Sequence, residues 1–336
     1  MAKILHTATI TGIGKYAPER VMTNTDLEKI VDTTDDWIFS RTGIRERRIA
    51  ADTEATSDLA FHAATAALAV AGRTPEQLDL VLVATCTGDF GSFPATAAVL
   101  QQRLGAKRAA AFDVTAVCAG FAYALDVATQ YVETGRYRTV LVVGAEIMSR
   151  IVNWQDRNTC VLFGDGAGAV IVERAETESQ GAILGSILGT DGAGAEQLNV
   201  PAGGTRRPLT QELWDTKQNC IYQNGRAVYS FAVKIIGEAA LQALEVAGLT
   251  PADVSLFVPH QANIRIINAA AERMGLPMDK VMVNLDRYGN TSAASVPIAL
   301  CEAWQAERVK LGDIVVTVGF GAGLTWGANV IRWGNL

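Results

Sequence analysis

Apolar and polar positions along this 336-residue chain follow two periods, one typical of helices and one typical of buried strands. Helical spacing predicts three helices in the first half, over Thr56–Val70, Pro94–Leu104 and Cys118–Val132. Continuous apolar runs predict three strands, over Leu78–Ala84, Ala110–Val114 and Thr139–Val143. Strands that alternate with helices at this spacing favour parallel sheets covered by helices on both faces.

The same pattern recurs about half a chain later. Residues 67–75 (ALAVAGRTP) and 243–251 (ALEVAGLTP) are identical at seven of nine positions, at a constant offset of 176 residues. Two alanine-rich helices can resemble each other by composition alone, but the order of helices and strands is also shared from Val228 to Gly319. We therefore expect two halves of related fold, residues 1–180 and 181–336, with a last strand through Trp326 and Val330.

Residues 192–223 break the alternating pattern. This segment contains two prolines, several glycines and Trp214. Because long connections without regular structure are uncommon unless they serve a function, we expect a surface excursion near a tunnel mouth or an interface.

Composition narrows the class of protein. About half of the residues are apolar (49%), and no apolar run approaches the roughly 18 residues of a membrane span. The net charge of −6 argues against general nucleic-acid binding. Five cysteines suggest reduced thiols, and residues 1–7 (MAKILHT) lack the apolar core of a secretory signal. These features predict a cytoplasmic protein.

Cys118 is the first candidate for chemistry. It begins an apolar, small-residue segment (CAGFAYAL) that predicts a buried helix. A cysteine at a helix N-terminus lies at the positive end of the helix dipole, so we expect a pKa below the free value of about 8.5. The alternative is a buried cysteine that serves as a small apolar residue, which is our interpretation of the other four cysteines.

His260 and Asn290 are the candidate partners of Cys118. His260 follows the apolar run Leu256–Val258, which places it at the carboxyl end of a strand, where open α/β sheets bind ligands. Asn290 precedes a predicted helix, so it could be an N-cap or turn residue. The repeat, however, aligns Asn290 with Cys118. A nucleophile, an imidazole and an amide together indicate covalent acyl chemistry.

Two glycine clusters differ in what they predict. Residues 319–327 (GFGAGLTWG) allow a backbone turn to approach a reacting centre with its N–H groups, although an ordinary tight turn is the alternative. Residues 164–168 (GDGAG) precede an apolar strand instead of following one, so they do not form a dinucleotide loop. We therefore expect neither a nicotinamide nor a flavin cofactor.

Four motifs carry a family resemblance over essentially the whole chain: Asp35–Ile38 (DDWI), Arg41–Ile44 (RTGI), Val258–Asn263 (VPHQAN) and Gly289–Ala293 (GNTSA). With them the chain resembles condensing enzymes of the thiolase fold, most closely the β-ketoacyl-acyl-carrier-protein synthase III family. The resemblance implies an α/β fold of two duplicated βαβαβαββ halves in five layers, αβαβα. It also implies a cytoplasmic homodimer without a cofactor, which condenses a short acyl-CoA with malonyl-acyl-carrier protein to start fatty-acid synthesis.

The resemblance also assigns catalytic roles. Cys118, His260 and Asn290 form the triad, with an asparagine where thiolases have a second cysteine and chain-elongating synthases a second histidine. The backbone N–H groups of Cys118 and Ala322 form the oxyanion hole. Because many relatives have glycine at the position of Ala322, this loop can approach the reacting centre differently.

The remaining assignments concern substrates. By the resemblance, Trp37 and Arg157 sandwich the adenine of CoA and Arg41 lies near its phosphates. Asn263 and Tyr229 line the pantetheine tunnel. Two further residues face protein partners: Arg265 binds the acidic carrier protein, and Phe93 reaches across the dimer to close the acyl pocket, which suggests a short primer such as acetyl.

Two alternatives stay open. A specialised homologue from secondary metabolism could use the same triad to load or transfer an acyl group onto another acceptor. A non-catalytic homologue could only bind acyl thioesters, which an intact triad disfavours. The sequence predicts no metal site and no nucleic-acid or membrane partner.

Overall fold

The computed structural model describes residues 5–177 and 180–336, so the first four residues of the N-terminal segment lie outside the described part. The strands are β1 Ala8–Tyr16, β2 Arg20–Thr23, β3 Glu46–Ile49, β4 Leu80–Ala84, β5 Ala110–Val114, β6 Thr139–Ile147, β7 Asp165–Arg174, β8 Ala182–Thr190, β9 Leu198–Asn199, β10 Tyr222–Gln223, β11 Val254–Pro259, β12 Ile314–Gly321 and β13 Thr325–Arg332. The α-helices are α1 Asn24–Leu27, α2 Asp35–Thr42, α3 Thr56–Ala71, α4 Thr96–Leu104, α5 Gly120–Glu133, α6 Gln211–Asp215, α7 Gly225–Val246, α8 Ile264–Met274, α9 Leu285–Tyr288 and α10 Ser295–Gln305.

Two mixed sheets form the frame of the protein. The first has the strand order β1-β7-β6-β4-β5, and the second has the order β11-β12-β13-β8. Among the described strands, only the pairs β4–β5, β4–β6 and β11–β12 are parallel, so the prediction of parallel sheets is correct for their centres and wrong for their outer strands. One reason is the three-residue turn between β12 and β13, because such a short connection joins only antiparallel strands.

Helices α5 and α10 lie between the two sheets. One apolar core contains Leu82 and Val142 of the first sheet, Val258 of the second, and Phe121 and Leu300 of the two helices. Helices α3 and α4 cover the outer face of the first sheet, and α7 and α8 cover the outer face of the second. The layers therefore run αβαβα, which confirms the predicted architecture. A division into domains at residue 180 stays a prediction.

The predicted elements of the first half are found within a few residues of their expected bounds. Cys118 lies in a 3₁₀ turn, Val117–Ala119, and the α-helix begins two residues later at Gly120. In the second half, the counterpart of β5 is reduced to one isolated parallel bridge between Phe257 and Val281. The repeat is therefore less complete than the sequence predicted.

The two halves carry matching 3₁₀ turns, and these correct the sequence alignment. Val117–Ala119 precedes α5, and Ser292–Ala294 precedes α10. The first residue of each turn has a positive φ, 47° for Val117 and 49° for Ser292. The residue that corresponds to Cys118 is therefore Ala293, and the predicted match with Asn290 is wrong by three positions.

Helix α7 is long and apolar enough to cross a membrane by length and composition. Lys234 and Glu238 interrupt its apolar residues, so it is not an uninterrupted apolar run and does not contradict the prediction that no such run occurs. Half of its most apolar window is buried inside the fold, and the core helix of a soluble protein passes the same test. Its buried face packs in the core of the second sheet, which explains the apolar composition.

Candidate active site

A cavity of about 670 Å³ lies where both halves meet. It brings together eight residues that the sequence singled out: Trp37, Arg41, Cys118, Arg157, Tyr229, His260, Asn263 and Asn290. Ala322 lines a smaller adjoining pocket together with Cys118. Phe93 and Arg265 lie outside the lining of both cavities.

The backbone around Cys118 is strained and closely packed. Val117, directly before it, has a φ of 47°, which is an unfavourable conformation for a β-branched side chain. A Cβ at Gly321 would lie 2.7 Å from the Cys118 nitrogen, and one at Gly319 would lie 2.8 Å from the Cys118 oxygen. The predicted close approach of the glycine-rich strand end to this residue is confirmed, and it depends on the missing side chains.

The environment of the Cys118 thiol contradicts the expected low pKa. Burial raises the pKa of this thiol to about 12, hydrogen bonding with the Ser292 hydroxyl acts in the opposite direction, and the charge of Glu146 raises the pKa further. Only 4% of the residue is exposed. The prediction was wrong because removing the sulfur from water disfavours its charged form more than the helix dipole favours it. The resting thiol is therefore protonated.

His260 is held as a neutral imidazole. It lies directly after β11 and is 1% exposed, and this burial lowers its pKa to about 3. Its Nδ1 is 2.6 Å from Ser295 Oγ, which also accepts a long hydrogen bond of 3.5 Å from the Gln261 N–H. The Ser295 hydroxyl hydrogen is then free to bond Nδ1, an arrangement that assigns the ring proton to Nε2.

The amide of Asn290 is oriented by its own backbone. Its Oδ1 accepts a hydrogen bond of 2.8 Å from the Ser292 N–H, so its NH₂ group remains as the donor on the cavity side. The backbone is fixed by Leu162 and Gly164, at 2.8 Å and 3.1 Å. Helix α10 has Ala294 at its N-cap, so the alternative of an N-cap asparagine is excluded, while the turn interpretation is correct.

A buried polar network connects the loops that carry His260 and Asn290. Gln261 Oε1 accepts from the Asn284 N–H at 2.9 Å, and Asn284 Nδ2 donates to Glu302 at 2.9 Å. Tyr288, two residues before Asn290, donates to Glu302 at 2.6 Å. Burial would raise the pKa of Glu302, but hydrogen bonds from Lys15, Tyr288 and Asn284 lower it to about 2. This carboxylate therefore fixes both loops.

Arginines stack on Trp37 at the cavity mouth. The guanidinium carbons of Arg41 and Arg157 lie 4.5 Å and 5.1 Å from its ring. Arg157 also donates to the Asp32 backbone oxygen at 3.0 Å. Two stacked faces with a base between them need about 7 Å, twice a van der Waals contact, so Arg157 must move outward for an adenine to enter. The predicted sandwich stays a prediction.

The residues assigned to the tunnel differ in how firmly hydrogen bonds hold their side chains. Tyr229 on α7 is 40% exposed and lines the cavity. The side chain of Asn263 is engaged on both sides, because its Oδ1 caps α8 through Arg265 N and its Nδ2 donates to Arg41 O. Arg226, at the start of α7, also lines the cavity. No sequence feature except its charge points to this residue.

A smaller apolar pocket of about 110 Å³ opens beside Cys118. Its lining includes residues from the 192–223 excursion: Leu198, Asn199, Val200 and Ile221. Leu198 and Tyr222 also line the main cavity, which confirms that the excursion lies beside a tunnel. Phe93 is 84% exposed, an unusual state for a large apolar side chain.

Arg265 lies on the surface of α8 and donates to the Ser40 backbone oxygen at 2.9 Å. Arg273, on the same helix, is paired with Glu238 at 2.6 Å. Arg265 forms no ion pair within the described residues, so its charge is available to an acidic partner.

The αβαβα layers and a buried cysteine, histidine and asparagine around one cavity define a condensing acyltransferase of the thiolase fold. Residues 112–192 match the family "3-Oxoacyl-[acyl-carrier-protein (ACP)] synthase III", and residues 244–333 match its C-terminal domain. The chain belongs to the β-ketoacyl-acyl-carrier-protein synthase III family.

Relatives support this membership over nearly the whole length. The beta-ketoacyl-[acyl-carrier-protein] synthase III of Caldanaerobacter subterraneus subsp. tengcongensis is 56% identical over 97% of this chain and 98% of its own. The solved Thermus thermophilus enzyme of that name is 50% identical, covers 98% of this chain and 100% of its own, and has a TM-score of 0.90. The priming β-ketosynthase of the R1128 polyketide pathway is 35% identical, over 100% of this chain and 98% of its own, with a TM-score of 0.91.

Proposed function

We propose that the protein condenses a short acyl-CoA primer with malonyl-acyl-carrier protein and so initiates fatty-acid synthesis. The observation that carries this proposal is the convergence of Cys118, His260 and Asn290 on one cavity. The thiol can accept an acyl group, and the other two side chains present hydrogen-bond donors. No group of histidine, cysteine or carboxylate side chains in the described part of the chain could hold a metal ion.

In the first half-reaction, the sulfur of Cys118 attacks the thioester carbonyl of acyl-CoA, and CoA leaves as a thiol. The negative charge of the tetrahedral intermediate develops on the former carbonyl oxygen. The N–H groups of Cys118 and Ala322 are the proposed donors to this oxygen, each contributing about 3 kcal/mol in comparable sites. The position of Ala322 in the pocket beside Cys118 supports this assignment.

In the second half-reaction, the malonyl thioester loses CO₂ and becomes an enolate whose carbon attacks the acyl group on Cys118. This step needs neutral side chains that donate hydrogen bonds to the enolate oxygen. Neutral His260 with its proton on Nε2, and Asn290 with its NH₂ facing the cavity, are suited to this role. The product is a β-ketoacyl group on the carrier protein.

The pocket beside Cys118 supports a short primer. Its volume is about 110 Å³. Since a cavity of about 150 Å³ holds benzene, this smaller space holds an acyl chain of only a few carbon atoms. Phe93 would close the pocket of a partner subunit in a homodimer, which would also explain why so large an apolar side chain is 84% exposed here.

The carrier protein would dock around Arg265, while Trp37, Arg41 and Arg157 bind CoA and Tyr229 and Asn263 contact its pantetheine arm. An acidic carrier protein needs a local positive charge, because the chain as a whole has a net charge of −6. Cytoplasmic localisation is part of this proposal, and it is supported by five free cysteines.

The second candidate function is priming of a specialised pathway. The similarity to a polyketide priming synthase, with a TM-score of 0.91, favours its consideration. Both functions use the same triad, but the specialised enzyme would load or transfer the acyl group onto an acceptor other than malonyl-acyl-carrier protein.

Intact-mass measurement separates these functions. The protein is mixed with acetyl-CoA, longer or branched acyl-CoAs, and then malonyl-acyl-carrier protein. An adduct that is absent in Cys118→Ala and is discharged with CO₂ release supports the priming synthase. An adduct without discharge favours the specialised acyltransferase, and the absence of any adduct contradicts the covalent mechanism.

A further inference from the structure

The most unusual charged group outside the triad is Glu146, at the end of β6 beneath Cys118. It is fully buried, and it forms no ion pair in the described part of the chain. A buried carboxyl without a counter-ion is costly, and such groups concentrate at functional sites. The mechanism described above does not use it.

The donors around Glu146 indicate that it is ionised at rest. Thr85 and Thr87 accept hydrogen bonds from backbone N–H groups, so their hydroxyl hydrogens point to Glu146. The Cys86 N–H donates at 3.1 Å and its thiol at 3.3 Å. Burial raises the pKa of Glu146 above its usual range, and these hydrogen bonds oppose the rise only in part. The neighbouring groups all donate to Glu146, which is the arrangement expected around a carboxylate, and its raised pKa makes it a better proton acceptor than an ordinary carboxylate.

Ser292 connects this carboxylate to the nucleophile. Its hydroxyl donates to Glu146 Oε1 at 3.0 Å, and the same hydroxyl is close enough to Cys118 to act on the pKa of its thiol as a hydrogen-bond partner. The 3₁₀ turns of Cys118 and Ser292 pack against each other, and Ser292 begins its turn with a φ of 49°. Thiol, hydroxyl and carboxylate thus form a chain.

We propose that Glu146 takes up the Cys118 proton through the Ser292 hydroxyl when the sulfur attacks the acyl thioester. The S–H proton passes to Ser292 Oγ while the Ser292 proton passes to Glu146 Oε1, and the sulfur electron pair forms the new bond to carbon. When CoA leaves as a thiolate, the proton returns to its sulfur, so no charge is gained or lost. This inference rests on the proposed role of Cys118 as the nucleophile.

The relay explains how a protonated thiol and a neutral His260 coexist. If His260 took the proton, it would become charged in a site where burial disfavours its charged form. Transfer to Glu146 instead converts a buried carboxylate to a neutral carboxyl group. The negative charge that Glu146 loses is carried by the attacking sulfur. Ser292, which contacts the reacting sulfur, is then a catalytic residue, and Glu146 is a positioning residue that acts through it.

The titratable groups that face this chain are Cys86 and Cys118 on the first half and His260 across the cavity. A relay and a simple charge effect predict opposite results for Glu146→Gln. As a mere negative neighbour, Glu146 raises the pKa of the thiol, so its removal would speed the reaction of Cys118 at neutral pH. As a proton acceptor, its removal would slow that reaction.

The test follows alkylation of Cys118 by iodoacetamide and its acylation by acetyl-CoA from pH 6 to 9. Peptide mass spectrometry separates Cys118 from Cys86. For wild type we expect rates that change little between pH 7 and 9. For Glu146→Gln we expect rates roughly 100-fold lower at pH 7, a typical loss for a proton-transfer group, and rising about tenfold per pH unit. Ser292→Ala, which retains the carboxylate, should show the same slope.

Asp165→Asn is the matched control, because Asp165 is another fully buried carboxylate, bonded to Ala50 N and Ser149. Its pH profile should equal that of wild type. Thermal unfolding and decarboxylation of malonyl-acyl-carrier protein, which depends on His260 and Asn290, report damage to the fold. Equal or faster labelling of Cys118 in both Glu146→Gln and Ser292→Ala overturns the relay alone. Absence of any acyl adduct on wild type overturns the proposed function instead.

Discussion

The close approach of β12 to the nucleophile gives a sharp prediction for Gly321→Ala. A Cβ at this position would lie 2.7 Å from the Cys118 nitrogen and 3.0 Å from the Cys118 Cβ. Carbon atoms in contact are about 3.5–4.0 Å apart, so the strand end or the Cys118 turn must shift by roughly 0.5–1 Å. Backbone atoms on both sides leave no flexible group to absorb this shift.

The shift acts on catalysis more than on folding. A misplacement of about 1 Å can reduce a rate by a factor of about 100, which corresponds to about 2.7 kcal/mol in the activation free energy. Overpacking costs about 1–3 kcal/mol of stability, which a chain with so large a core tolerates. We therefore expect a folded variant that acylates Cys118 about 100-fold more slowly than wild type.

The assay is the rate of adduct formation from acetyl-CoA, followed by intact mass, with thermal unfolding measured in parallel. The matched control is Gly204→Ala, because a Cβ at Gly204 meets no atom within 4 Å. This control should acylate at the wild-type rate. Acylation of Gly321→Ala at the wild-type rate, with unchanged stability, would refute the inference that the glycine positions the nucleophile.

Four further predictions concern other residues in and around the site. His260→Ala and Asn290→Ala should each lower the condensation rate, measured by CO₂ release, about 100- to 1000-fold, while the rate of acyl loading changes by only a few fold. An equal loss of acyl loading would contradict the assignment of His260 and Asn290 to the condensation step alone. Arg157→Ala should raise KM for acyl-CoA about 2- to 5-fold with kcat nearly unchanged in steady-state kinetics. Glu302→Gln should lower the free energy of unfolding by about 3 kcal/mol at pH 7 in urea titrations. Because the pKa of Glu302 is depressed from 4.5 to about 2, its contribution is present above pH 4.5 and is lost as the pH falls towards 2, so wild type and variant should converge there. Phe93→Ala should weaken a dimer in sedimentation and admit longer primers; an unchanged sedimentation coefficient and primer range would contradict its proposed role.

Much of the fold was predictable from local pattern. The bounds of β5 are those predicted, and α3 differs by one residue, because continuous apolar runs and 3.6-residue spacing are local properties. The wrong predictions concern elements whose structure depends on tertiary contacts. The expected third strand of the second half is a single bridge at Val281, and the expected helix start at Cys118 is a 3₁₀ turn. No sequence feature indicates the positive φ of Val117.

The sequence by itself determined which side chains carry the chemistry. Cys118, His260 and Asn290 stand in distinctive local motifs. His260 follows the carboxyl end of β11, Cys118 lies in the turn before α5, and Asn290 lies just before the turn that leads into α10. Only the tertiary structure decided the state of these groups. Burial raises the pKa of the Cys118 thiol and lowers that of His260, and burial depends on residues far away in the chain. Glu146 and Ser292, 146 residues apart, become partners only when two halves of the chain close around one site.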